Sequence, residues 1–345
     1  MVSSNALPKG VVMFSRRSLA QLLLLSLIGS GCGYLAVKFA PKKTAKASDS
    51  ELARRAQTFF HESLAAGRYD DLPEATRLLT AAYLQNPRDP SVSFLLGMAH
   101  LWKVSERLRE PKQDPTITDH LILADKYLSE ARRLNPKDLR VPGFEGSVKM
   151  ALGSIHQDEA LKRQGYFILK DGMKAYPEFN FFTMSFVLSN APRENPRFAD
   201  AIDYAWKNVE VCVGHKVGRT SADVAHLAEE FRKSLSPSAA LAGGSADRAC
   251  QNPPTAPHNM EGFLLHMGDL LVKKGDVLTG KEIYKLAKTA PTYSSWPYDQ
   301  VLDKRITDAE ERAAAFAKGT KPQPEMMFQS PYACVACHAT KARAL

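Results

Sequence analysis

Four prolines, Pro87, Pro136, Pro177 and Pro291, each close a helical pattern in the same register, and this recurrence constrains the fold more than any other feature of the chain. Eight residues before each stands a bulky Leu79, Leu128, Leu169 or Ile283; twelve before stands Ala75, Ala124, Gly165 or Thr279. Five before stands Ala82, Ala131, Gly172 or Leu286, and ten residues after the first two prolines come Gly97 and Gly146. Small residues let paired helices approach closely, the bulky residue fills the groove between them, and proline stops the helix before the next unit. Strand-like alternation is scarce from Glu51 onward, so the body is expected to be all-α.

These offsets resemble the tetratricopeptide repeat, and Gly67-Arg68-Tyr69-Asp70 is similar to that family's turn. Successive prolines lie 49 and then 41 residues apart, against a family unit of about 34. The repeat is therefore degenerate, with excess chain placed first at Arg109 to Asp119, where Pro111 and Pro115 fall. The resemblance implies a helical-repeat solenoid over 51–190, an irregular helical insertion over 191–255 with Phe198 to Val211 as a further second helix, and a last repeat with a capping helix over 256–318. A generic helical bundle is the competing reading. Solenoids of this kind bind proteins along a concave face, which says nothing of chemistry.

The net charge of +9 is uneven. Residues 1–60 hold nine Lys or Arg and two acids, leaving 37 bases against 35 acids in the rest, so a basic leader precedes a nearly neutral body and nucleic acid is not an expected partner. Behind the basic segment 1–18, Leu19 to Val37 carries no charge and comes close to the length that spans a bilayer, so 19–40 is expected to be a membrane anchor or signal, followed by a solvated linker at 41–50. Three readings apply: an uncleaved signal anchor, a lipoprotein signal with Cys32 acylated behind Ser30 and Gly31, and a twin-arginine signal at Arg16-Arg17. Gly29 departs from the lipobox pattern, and Lys38, Lys42, Lys43 and Lys46 outnumber the leader's bases against the positive-inside rule.

At 319–345 the helical pattern gives way to a Pro-rich approach and then Cys334-Val335-Ala336-Cys337-His338. Two thiols with two residues between them can reach both vinyl groups on one haem edge, and the adjoining imidazole can turn under the ring to the iron. The motif resembles the attachment signature of c-type cytochromes. That resemblance implies one covalent haem c, with Cys334 and Cys337 as thioethers and His338 as proximal iron ligand, attached outside the cytoplasm. A dithiol redox pair and a structural zinc site are the alternatives; the first wants a thioredoxin-like context and the second a further ligand pair, for which Cys212 and His215 lie far away in sequence.

A motif so near the chain end requires pocket walls from the body or from a partner. The distal iron ligand is open among Met326, Met327, His258 and His266, with a vacant position as a further option. Each has a bland reading, since methionines fill cores and a lone histidine is usually structural. Cys212 and Cys250 are a candidate disulfide in an oxidising compartment, with two free cysteines as the alternative. The cluster Tyr293, Trp296 and Tyr298 reads either as a haem-edge contact or, by preference, as repeat-capping core.

Together these features lead to the expectation of a membrane-tethered monohaem cytochrome on the periplasmic side of a bacterial membrane, exchanging electrons with a redox complex, respiratory or photosynthetic. No catalytic triad or phosphate loop stands out, and an enzyme is not expected. The alternatives are a periplasmic scaffold or assembly factor whose haem is structural or absent, and a haem enzyme of the peroxidase kind.

Overall fold

The computed structural model describes residues 33, 35–234, 259–319, 321–331 and 333–338. The chain divides into two compact units, residues 1–44 and 45–345. In the first, the described part holds a helical turn at 35–38. The segment expected to be a membrane anchor lies almost wholly outside the described residues, as do Cys32, Cys250 and His258. Among the described residues no helix is long and apolar enough to cross a membrane.

The second unit is helical, with no strand among its described residues. Its first eight long helices are α1 (Glu51–Ala65), α2 (Leu72–Gln85), α3 (Pro90–Ser105), α4 (Asp119–Leu134), α5 (Val141–Ile155), α6 (Glu159–Ala175), α7 (Pro177–Leu188) and α8 (Pro196–Val213). The short α9 (Ser221–His226) and α10 (Ala228–Ser234) follow, then α11 (Met260–Lys274), α12 (Val277–Ala287), α13 (Asp299–Thr307), α14 (Ala309–Lys318) and a single turn, α15 (Val335–His338). Odd and even members of the first eight pack as sequential pairs, and α11 pairs with α12.

Local chemistry sets the ends. Helices α2, α4 and α6 stop two residues before Pro87, Pro136 and Pro177, because the residue preceding a proline is pushed out of helical conformation. Ser50, Asp89, Asp158, Asn195 and Asn259 each accept a first-turn N–H, satisfying donors that a helix start leaves open. Asp89 also accepts the Ser48 N–H at 2.7 Å, which ties the linker to the start of α3.

The register residues meet where the spacing places them. Ala75, Leu79, Ala82, Ala124, Leu128, Leu169 and Ile283 are all buried. At the α5–α6 crossing, a Cβ on Gly165 would stand 2.6 Å from the Gly146 carbonyl oxygen and 2.7 Å from the Met150 nitrogen. Backbone contact this close excludes any side chain, offsetting the roughly 1 kcal/mol that glycine costs a helix interior. Residues Phe198 to Val211 fall within α8.

Two apolar cores result. One gathers residues from α1 to α5, and the other residues from α6 to α14. The last turn of chain joins both: Val335 belongs to the first core, Ala336 and Cys337 to the second.

Candidate functional site

The described residues of 325–338 are tied to the body at several backbone groups. The Glu325 carbonyl accepts from Arg305 at 3.0 Å and from Arg312, and the Met327 N–H donates to Asp269 at 2.9 Å. The N–H groups of Cys334 and Val335 both donate to Glu106 Oε1. Trp296 Nε1 donates to the Ala336 carbonyl at 2.7 Å, and the Asn259 N–H to the Cys337 carbonyl at 2.6 Å. Polar backbone buried without such partners would cost about 1–3 kcal/mol per group.

Helix α11 supplies the bed. A Cβ on Gly262 would meet the Ala336 carbonyl oxygen at 2.5 Å and the Cys337 Cα at 2.7 Å, so only glycine lets the tail turn lie on this helix. Two turns on, the fully buried Asp269 gathers Tyr284 at 2.8 Å and both Arg305 and Arg312 at 3.2 Å besides the Met327 N–H. Two guanidinium groups and two donors compensate a carboxylate that burial would otherwise neutralise.

The motif opens on a cavity of about 500 Å³, within the roughly 300–1,000 Å³ range of small-molecule and cofactor sites. Cys334, Cys337 and His338 all line it. Opposite stand the first helices of four successive pairs: Phe60 and Leu64 of α1, Met98, Leu101 and Trp102 of α3, Phe144, Val148 and Ala151 of α5, and Phe182 and Phe186 of α7. The tail adds Phe328, and Ser147, Ser154, Thr183 and Asn190 supply polar points.

No protein-family model, no curated protein and no solved structure matches this chain. The argument from chemistry to function therefore rests on the site alone.

Electrostatics narrow what the two cysteines can do. Burial, reinforced by the Glu106 charge, pushes the Cys334 thiol well above its ordinary pKa. A thiol held protonated is a weaker nucleophile than a thiolate. Among the described residues no three His, Cys, Asp or Glu side chains gather in a way that could hold a metal ion. Burial also lifts the Glu106 carboxyl to about 7, against the lowering effect of the two N–H groups it accepts.

Of the residues that the sequence offers as distal ligands, His258 lies outside the described residues, and the other three do not line the cavity. Met326 and Met327 are buried under the tail, with Met327 Sδ 3.9 Å from Cys337 Sγ, and neither lines the cavity. His266 is fully buried, its ring against Phe182 and Phe186, which stand between it and the cavity space. Neither of its ring nitrogens has a hydrogen-bond partner, and burial drops it to about 4, so it is a neutral imidazole at pH 7. The thioethers that do line the wall are Met98 and Met150. Sequence reasoning passed over both, because an apolar position on a periodic helix reads as core.

The aromatic cluster lies behind the tail instead of in the wall: Trp296 is buried, stacks edgewise on Tyr298 and anchors Ala336. Cys212 is disulfide-bonded, and its partner lies outside the described residues. Glu106, Gly262 and Asn259 carried no sequence signal of their own. Asp269 did: it is a lone acid in the apolar run Phe263 to Val272, the kind of residue that persists only when paired.

Proposed function

We propose that this chain is a monohaem c-type cytochrome subunit that passes electrons to or from a partner redox complex at the periplasmic face of a membrane. The observation that carries this reading is the convergence of Cys334, Cys337 and His338 on one apolar cavity walled by the chain's own helices. Cys334 and Cys337 would hold haem as thioethers and His338 would ligate its iron, which supplies a one-electron couple between ferrous and ferric states. The helices do the rest. Aromatic and aliphatic side chains from α1, α3, α5 and α7 exclude water and, by lowering the local dielectric, disfavour the extra positive charge of the ferric state. The clamps at Glu106, Trp296, Asn259 and Asp269 fix the tail so that the imidazole keeps one orientation.

The helical pairs are read here as degenerate tetratricopeptide-like repeats, supported by the buried small-large-small positions and the glycine contacts between α5 and α6. That architecture binds partners along a concave face, and in this chain the first helices of four pairs line the cavity under the tail. The face such proteins commonly offer to a peptide is then taken up by the chain's own end, and a partner would dock on another surface. The basic leader and the apolar Leu19 to Val37 supply the membrane tether in this reading.

A spectroelectrochemical titration of the purified exported protein tests the function. A reversible one-electron couple supports it; a haem that cannot be cycled, or no haem, leaves a scaffold.

A further inference from the structure

The wall of the cavity is apolar with one conspicuous departure. Among the described residues that line it, Arg107 is the only Lys, Arg, Asp or Glu. It stands in the one-turn segment Arg107–Arg109 that leaves α3, at the start of the loop whose Ile117 and Thr118 continue the wall. The side chain is half-buried, and its Nη1 donates to the Val104 carbonyl at 3.0 Å. No described carboxylate pairs with it. Neighbouring cations are differently placed: Lys103 pairs with Glu110, Arg132 with Glu145, and Arg140 with Asp138. The adjacent acid, Glu106, is turned inward to the tail amides. On the same stretch, the buried indole N–H of the wall residue Trp102 has no hydrogen-bond partner. This end of the cavity holds donors and a positive charge without an anion to meet them.

We propose that Arg107 binds a carboxylate of the cavity's occupant. Resting on the haem reading above, that group is a haem propionate, which the contact would hold at the loop after α3 while the two thioethers set the orientation of the ring. A guanidinium recognises carboxylate through parallel N–H donors, and a partly desolvated apolar wall strengthens the pair over its worth in water. The cation also acts on the iron: removing it favours the more positive ferric state.

The test uses the full exported holoprotein, with covalent haem first established by intact mass. R107L, R107K and R107Q are compared with R109L, which removes the same charge from a residue that is not part of the wall. Resonance Raman spectroscopy of the propionate bending mode and the midpoint potential are read together. The expected result is a shifted propionate band and a lower midpoint in R107L and R107Q, recovery of much of the midpoint in R107K, and little change in R109L. Haem-loaded R107L with wild-type band and midpoint overturns the proposal and leaves the cytochrome reading standing. A wild type that carries no haem overturns both, so the two failures are distinguishable.

Discussion

Glu106 Oε1 accepts the Val335 N–H at 3.0 Å, joining positions 229 residues apart in the chain. The same oxygen takes the Cys334 N–H, so one carboxylate sets where the Cys334–His338 turn begins. Hydrogen bonds to a charged acceptor contribute about 1.5–3 kcal/mol. Glu106→Ala is expected to release the tail by an amount of that order, seen as faster hydrogen exchange at residues 334–338 and a lower yield of haem-loaded protein. Glu106→Gln keeps an acceptor oxygen and should retain most of both. Equal exchange in wild type and E106A would show that the carboxylate does not hold the turn.

Gly262 is the steric counterpart. Alanine is the better helix former by about 1 kcal/mol, yet its Cβ would press on the backbone of Ala336 and Cys337. Overpacking against atoms that cannot swing aside costs about 1–3 kcal/mol. Gly262→Ala should therefore lower the melting temperature and loosen the tail without loss of far-ultraviolet helical signal; an unchanged or raised melting temperature would count against the contact.

Acid sensitivity follows from two buried histidines. Burial holds His100 and His266 at about 4, well below the ordinary value of 6.5. For a group whose folded pKa is depressed, the stabilising contribution is complete above 6.5 and drains away as pH falls through 4, because the unfolded chain takes the proton first. Glu106, lifted to about 7, works in the opposite sense: its contribution is complete below 4.5 and is lost as pH rises through 7. Urea midpoints measured from pH 4 to 8 should fall on the acid side, and His266→Phe should flatten that limb. A limb of unchanged slope would mean that His266 protonates freely in the native state.

Helical character and the ends of α2, α4 and α6 were legible in the sequence because proline and small-residue spacing act locally. The Cys334-Val335-Ala336-Cys337-His338 pattern was legible for the same reason, its residues being neighbours in the chain. The walls were not. Which face of α3 looks at Cys334 depends on how four helical pairs stack, and neither Glu106 nor Gly262 differs in sequence from an ordinary surface acid or helical glycine. His266 shows the limit of nearness along the chain: its helix, α11, carries the tail turn, yet its own ring packs against Phe182 and Phe186.

Distal ligation is expected from the wall. Met98→Leu or Met150→Leu should abolish an iron–sulfur charge-transfer band in the oxidised protein, whereas Met326→Leu, Met327→Leu and His266→Phe should leave it in place. The reverse pattern would require the tail or α11 to rearrange around the cofactor.

The most direct measurement is intact and peptide mass on protein exported by a host that matures c-type cytochromes. One haem is expected per chain, on a peptide containing Cys334 and Cys337, and lost when both are replaced by serine. Mature protein in which both thiols are unmodified and react with an alkylating agent after denaturation would contradict the account.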